Sequence, residues 1–299
     1  MIAKTHFKDE NEKKSYVLSC DADFEMRLDK LMKSICDASD MDFITLSGPT
    51  CSGKTTASRK LVSEFAERGK SVAIISLDDF FRNAADLIEE SGGGVLDFDS
   101  EKALDIPTLK RFMHEIQTVG QSMLPKFDFE LARRTHFEHF SVRDTDIVVF
   151  EGIQASYPVF TSLFEEGTRV KRIYISVLDD LVVDGKTVKQ REIRLWRRLV
   201  RDFKFRAASP EYSFRIWEGV VKNEDANILP YAHENDFMID SLQGYEPLML
   251  KPELEKLMKM IDKGSKYYEK SLQILQTLDG LDTVSEKYLP EKSIYREFL

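Results

Sequence analysis

Short runs of consecutive apolar residues alternate along this chain with longer stretches in which apolar residues recur every three or four positions. The run Asp42-Phe-Ile-Thr-Leu-Ser47 ends at Gly48 and reads as a buried strand feeding a tight loop. Ser71-Val-Ala-Ile-Ile-Ser76, Asp146-Ile-Val-Val-Phe150 and Val170-Lys-Arg-Ile-Tyr-Ile-Ser176 read as three more buried strands. Helical spacing predicts helices over 22–38 (Phe24, Met26, Leu28, Leu31, Met32, Ile35), 54–68 (stopped by Gly69), 106–118 and 187–205, the last rich in arginine. Residues 252–278 carry Leu254, Leu257, Met258 and Ile261, then Tyr268, Leu272, Ile274 and Leu275, which predicts two helices broken near Gly264. Residues 1–20 are polar and read as a short strand or an arm. Residues 83–100 read as a loop with Ser91-Gly-Gly-Gly94 at its centre. Buried strands alternating with helices predict an α/β protein with a doubly wound parallel sheet covered on both faces.

Composition narrows the class. The 299 residues are 42% hydrophobic and 32% charged, an ordinary globular balance. The formal net charge of -9 repels phosphate backbones, so no nucleic-acid partner is expected, and any phosphorylated ligand must meet locally gathered positive charge. Cys20, Cys36 and Cys51 are few and unpaired in spacing, which predicts neither a disulfide framework nor a zinc site. The first residues lack the apolar core of a signal peptide, and no apolar run approaches the ~20 residues that cross a bilayer. A cytoplasmic location with no membrane partner is the expectation.

The most specific motif is Gly48-Pro-Thr-Cys-Ser-Gly53-Lys54-Thr55, which fits G-x-x-x-x-G-K-[ST] and lies between a predicted strand and a predicted helix. Such a match arises by chance in roughly one chain in a hundred, judging from average residue usage. Glycines let successive backbone N–H groups turn toward phosphate oxygens, and the helix start adds its positive dipole end. Gly48, Thr50, Ser52, Gly53, Lys54, Thr55 and Thr56 are thereby candidates for holding ATP, with Lys54 reaching the β and γ phosphates and Thr55 placed for Mg²⁺. Cys51, inside the loop, reads as a small residue with its side chain out of the way, the alternative being a reactive thiol. With this loop the organisation reads as an N-terminal extension (1–40), a P-loop domain (41–245) and a C-terminal helical extension packed on the same domain (246–299).

The loop specifies a nucleotide and not a reaction. A guanine-reading N-K-x-D is absent, since Lys222-Asn-Glu-Asp225 has the wrong order. A metabolite kinase needs a base for the acceptor hydroxyl, an acid near the metal and arginines over the phosphates. Ser76-Leu-Asp78-Asp79-Phe-Phe81-Arg82 puts two carboxylates after the second strand, where ligands bind in such folds, and Asp78 is the candidate base. On spacing alone the pair could equally cap a helix. Glu151, directly after the third strand, is the candidate metal-side acid, against a surface Glu before a glycine turn. Arg197, Arg198, Arg201 and Arg206 form a local cationic face on an acidic chain, suited either to a triphosphate or to solvent and neighbouring carboxylates.

The order of these motifs resembles the uridine kinase / phosphoribulokinase family: the phosphate loop, Ser76–Arg82, Phe98-Asp99, Phe127-Asp128-Phe129, Val149-Phe-Glu-Gly-Ile153 and Arg197–Arg206. The resemblance runs from about residue 42 to about 240, and Ser293-Ile-Tyr-Arg-Glu-Phe298 is similar to the ending of a bacterial uridine-kinase-like subgroup. It implies Asp78 as catalytic aspartate, with Lys54, Arg198 and Arg201 also catalytic. It further implies Thr55 and Glu151 at the metal and Arg201 and Arg206 on the nucleotide; Arg197, one helical turn before Arg201, is expected on the nucleotide with them. Asp78, Phe81, Arg82, Phe98, Asp99, Phe127, Phe129 and Arg198 would then lie around the acceptor, with Phe127 and Phe129 sandwiching a base. The sequence departs from the pattern at Phe81, where the family has a tyrosine, and at Ala132, where it has a histidine that helps read a pyrimidine. His136 and His139 lie nearby, as substitutes or as surface residues.

The reading that follows is transfer of the ATP γ-phosphoryl group to an alcohol of a small molecule, a nucleoside such as uridine first. The same chemistry on pantothenate, ribulose phosphate or glycerate is the near alternative, and a catalytically weak regulatory nucleotide-binding protein is the distant one. A C-terminal extension of this kind often mediates self-association into a homo-oligomer.

Overall fold

The four apolar runs become neighbouring strands of one parallel sheet. The computed structural model describes residues 1–37, 41–90 and 98–299. In chain order its elements are α1 (Glu10–Asp37), β1 (Phe43–Ser47), α2 (Lys54–Glu67), β2 (Val72–Ser76), α3 (Ala84–Glu90), α4 (Ile106–Thr118), β3 (Gln121–Asp128), β4 (Arg133–Ser141), β5 (Ile147–Glu151) and α5 (Pro158–Thr161). There follow β6 (Val170–Ser176), β7 (Leu181–Val183), β8 (Lys186–Val188), α6 (Gln190–Arg206), α7 (Pro210–Asn223), α8 (Leu229–Ala232), β9 (Phe237–Asp240), α9 (Glu246–Lys259) and α10 (Tyr268–Leu278). The main sheet has the order β2-β5-β1-β6-β9, every pairing parallel.

Strand alternation divides the core between the two faces. Ile44, Leu46, Ile147, Val149, Ile173 and Ile175 meet Phe24, Leu28, Met32 and Ile35 of α1 and Leu61 and Phe65 of α2. Phe43, Ile75, Val148 and Phe150 point the other way, onto Leu109, Phe112, Met113 and Ile116 of α4. Each of these buried side chains contributes about 1.5–3 kcal/mol. A third cluster joins Trp196, Leu199 and Val200 of α6 to Trp217 of α7, Leu250 and Leu254 of α9, and Leu278.

Several elements differ from the sequence expectation. α1 begins at Glu10, so residues 10–20 are helical; among them Val17 is the one fully buried side chain, with Tyr16 and Cys20 partly buried beside it, and Asp9 marks the start by accepting the Glu12 N–H at 2.9 Å. Only the first residues act as an arm, through a bridge between Ile2 and Val182. Residues 84–90 of the expected loop are α3; Ser91–Gly94 lie outside the described residues. α9 starts six residues early, at Glu246, and carries Pro252 inside it. The hairpin β3–β4 escaped the apolar pattern because β4 (RRTHFEHFS) is exposed along nearly its whole length. Among the described residues no helix is long and apolar enough to cross a membrane.

Candidate active site

The phosphate loop is shaped by close approaches that only glycine permits. A Cβ on Gly48 would stand 2.1 Å from the Ile175 carbonyl oxygen of β6. Gly53, at a left-handed φ of 99°, caps α2, and a Cβ there would meet the Ile294 side chain at 2.5 Å. Thr50, Ser52, Gly53, Lys54 and Thr55 line a cleft of about 1330 Å³; Gly48 and Thr56 are not part of its lining, and Thr56 is bonded to Glu297, which is. The Lys54 ammonium donates to the Gly48 and Pro49 carbonyls at 2.9 and 3.1 Å. The Ser52 hydroxyl is buried inside the loop with no hydrogen-bond partner among the described residues. Cys51 takes a left-handed φ of 57° and packs in the apolar cluster shared with α6.

The carboxyl ends of β2 and β5 supply acids to the same cleft. Glu151 is in register with both Ser76 and Leu46, which sets it level with Asp78 and the loop. Burial pushes the Asp78 carboxyl up to about 7; the negative charge of Glu151 adds to the rise, Lys54 opposes it, and Asp99 and Asp79 add smaller repulsions. Asp79 turns away: it accepts Lys126 Nζ at 2.9 Å and the Phe127 N–H at 3.2 Å, tying the hairpin to β2. The two adjacent aspartates therefore have different surroundings.

Thr55 and Glu151 line the cleft beside Asp78 and Asp99, an all-oxygen donor set of the kind Mg²⁺ takes. Among the described residues no group of three or more His, Cys, Asp or Glu is arranged to hold a metal alone. The residues present fit an ion that draws its remaining ligands from phosphate and water.

Helix α6 divides its arginines between core and cleft. Arg198, Arg201 and Arg206 line the cleft and converge on one carboxylate, Asp202, at 3.1, 2.7 and 3.5 Å. Arg198 also reaches Thr50 Oγ1 at 3.4 Å. Arg197, expected on the nucleotide, is fully buried. Its guanidinium forms a two-pronged pair with Glu246 and donates to the Cys51 and Ser241 carbonyls at 3.1 and 2.8 Å. Burial alone would lower its pKa, but the Glu246 contact outweighs it and holds the group charged. Arg197 therefore faces the outside of the loop and cannot reach a phosphate inside it. Arg194, not singled out by sequence, does the same one turn earlier, pairing with Glu224 at 2.6 Å and donating to the Thr50 carbonyl at 3.3 Å.

The aromatic residues form one cluster on the opposite wall. Phe81, Phe98 and Phe129 line the cleft, and Phe129 is 65% exposed. Phe127 is buried behind them, edge-on to Phe81 at 5.7 Å and to Phe129 at 5.3 Å, so it supports the wall instead of facing a ligand. Arg82, expected at the acceptor, lines a separate hollow of about 900 Å³ and pairs with Glu90. His136 belongs to that hollow as well, and His139 contacts Gln121; neither lines the cleft. Ala132 sits at φ 49° in the hairpin turn, where its carbonyl accepts the Ala84 N–H.

The structure also places residues that sequence reasoning missed. Gln154 donates to the Phe98 carbonyl at 2.7 Å, and Tyr157 and Asn223 donate to the Asp99 carbonyl at 2.8 and 3.1 Å. These pin the Phe98-Asp99 segment from two sides. Tyr212, Arg215 and Ile216 of α7 and Glu297 also line the cleft. The ending Ser293–Phe298 was the sole sequence signal for Glu297; α7 carried none.

A phosphate loop between β1 and α2, with acids at the carboxyl edge of a parallel sheet, defines a P-loop α/β protein. The chain belongs to the Phosphoribulokinase / Uridine kinase family, whose model matches residues 43–245. A uridine kinase of Clostridium perfringens is 25% identical over 181 residues, 60% of this chain and 77% of that protein. Uridine-cytidine kinase C of Dictyostelium discoideum is 25% identical over 122 residues, 41% of this chain, and the chain spans only 25% of that protein's length. Among solved structures, YGR205w protein overlays with a TM-score of 0.51 at 18% identity, over 72% of this chain and 89% of that one, which shows a shared fold.

Proposed function

We propose that this protein is an ATP-dependent kinase that phosphorylates a primary alcohol of a small molecule, with a nucleoside such as uridine as acceptor. The observation that carries the reading is the convergence of Lys54, Asp78 and the Arg198–Arg201 face on one cleft. In this reading Asp78 orients the acceptor hydroxyl and takes its proton as the oxygen attacks the γ-phosphorus in line. A carboxyl near neutrality is suited to that exchange. Lys54 and the loop N–H groups hold the phosphates, and Arg198, Arg201 and Arg206 spread over the transferring group, a role in which a single arginine can be worth ~10³-fold or more. Mg²⁺, when bound through Thr55 and Glu151, would supply charge neutralisation at the β and γ phosphates.

The Phe81, Phe98 and Phe129 wall supports a flat, largely apolar acceptor. The names of the kinase relatives, at 25% identity, support a nucleoside. Phe81 and Ala132 favour a second reading at the same site, another alcohol or a wider base choice, because a pocket without those two polar groups cannot reject a ligand by leaving them unpaired. A coupled ADP-release assay with Mg-ATP separates these readings across uridine, cytidine, other nucleosides, pantothenate, glycerate and ribulose 5-phosphate. Turnover on a nucleoside alone supports the first reading. Turnover on a non-nucleoside replaces the acceptor, and silence across the panel with ATP still bound favours a regulatory protein.

A further inference from the structure

The C-terminal segment is built into the phosphate loop. Ile294 packs against Gly53, and Phe298 lies over the Arg197 guanidinium with its ring centre at 4.7 Å. Tyr295 sits between α6 and Tyr245, fully buried. Held by these anchors, Glu297 turns its side chain into the cleft, and its Oε2 accepts a hydrogen bond from Thr56 Oγ1 at 3.0 Å.

Thr56 is the third residue of α2, and Gly53 offers that helix no side-chain cap. The N–H groups at a helix start lack intrahelical partners. In a loop of this type those groups and the adjoining hydroxyls are what hold the α and β phosphates. A carboxylate on Thr56 and a phosphate at the same place need the same donors, and like charges repel. Among the described residues no ion pair within contact distance holds Glu297 there: burial raises its pKa, and Lys54 and Arg197 oppose that rise only from a distance, since Lys54 donates to Gly48 and Pro49 and Arg197 is committed to Glu246.

We propose that Glu297 is a residue of the nucleotide site, one that competes with the nucleotide's α-phosphate for Thr56 and so sets nucleotide affinity. The proposal rests on the cleft being a nucleotide site. Because Ile294, Tyr295 and Phe298 fix the backbone on both sides, the competition is settled by rotation of one side chain and not by release of the segment. Glu297 then acts against any ligand bearing phosphate next to its ribose and is indifferent to the bare nucleoside.

The test compares wild type with Glu297→Gln and Glu297→Ala by titration calorimetry, using MgADP and adenosine. Gln keeps the length and a neutral hydrogen bond while removing the charge, and Ala removes both. A melting curve without ligand establishes that each variant is folded. The expected result is MgADP binding about tenfold tighter in both variants, the order of the gap between a charged and a neutral hydrogen bond, with adenosine affinity unchanged. MgADP binding that is equal or weaker in the folded variants overturns the proposal and makes Glu297 a support for α2. An equal gain for adenosine and MgADP also overturns it, since the obstruction would then be steric. Failure of all three proteins to bind MgADP removes the nucleotide-site reading itself, and this inference with it.

Discussion

Replacing Arg197 by methionine distinguishes a ligand-facing arginine from one that braces the loop. Arg197 and Glu246 are both fully buried, and Glu246 also accepts the Gln243 N–H at 2.7 Å. Methionine fills most of the arginine's length but leaves Glu246 without its partner. Breaking a buried pair in this way costs about 3–5 kcal/mol. The Cys51 and Ser241 carbonyls lose their donors as well, at about 1 kcal/mol each. At about 2–4 °C per kcal/mol for a domain of this order of size, the melting temperature should fall by roughly 10 °C or more. Adding Glu246→Gln to Arg197→Met removes the stranded charge and should recover part of that loss. The assay is differential scanning fluorimetry of the three proteins, with MgADP affinity measured below the lowest melting point. A variant that melts within about 2 °C of wild type while losing nucleotide affinity would refute the bracing role and return Arg197 to the ligand.

Asp78→Asn should lower turnover by at least ~10²-fold, the usual worth of a positioned base, while MgADP affinity stays near wild type; full turnover would sink the proposed mechanism. With the Asp78 carboxyl at about 7, kcat/KM for the acceptor should fall as pH drops through about 7, and Asn should abolish that acid limb. The same shift makes charging Asp78 unfavourable in the folded state. Stability without ligand should therefore decline as pH rises from about 4 to about 7, by at most about 4 kcal/mol and less because water enters the open cleft; pH-dependent urea melts of wild type against Asp78→Asn read the difference. Gly48→Ala forces a clash with the Ile175 carbonyl and should abolish MgADP binding, which calorimetry measures directly. Tyr157→Phe removes one of the two donors to the Asp99 carbonyl, leaving Asn223, and should raise KM for the acceptor several-fold with KM for ATP unchanged, in steady-state kinetics with each substrate varied.

Most of the parallel sheet was legible because its inner strands read as unbroken apolar runs, although β2, expected to be buried, is an edge strand with Ile74 40% exposed and the other edge strand, β9, gave too short a run to be found; the phosphate loop was legible because its spacing is demanded by phosphate geometry. Asp78 and Glu151 followed from their position at strand ends. What stayed hidden depends on partners far away in sequence. Arg197 and Arg198 are adjacent in one basic run, yet one meets Glu246 in the core and the other faces the cleft, and no local pattern separates them. Arg82 and Phe127 sit within motifs whose neighbours line the cleft, but the turn after β2 and the pleat of β3 rotate them out of it. Residues 10–20 lacked an apolar stripe, so their helix shows only in the cap at Asp9. Tyr157 and Asn223 act through hydrogen bonds to a backbone carbonyl and to each other, which no side-chain motif records.

Between Glu224 and Ile228 the chain follows one wide π-helical turn at the end of α7. The turn starts directly after Asn223, which holds the Asp99 segment, and its first residue is Glu224, which holds Arg194 and through it the Thr50 carbonyl. Two consecutive residues thus act as a short crossbar between the wall on which an acceptor would rest and the loop on which phosphate would rest. Their spacing is a gauge: it sets how far apart the two reactants are held, independent of either reactant. Inserting one residue between the two would turn one side chain about 100° from the other about the helix axis and put the two walls out of phase, so the adjacency of Asn223 and Glu224 is constrained even where the rest of the turn is not.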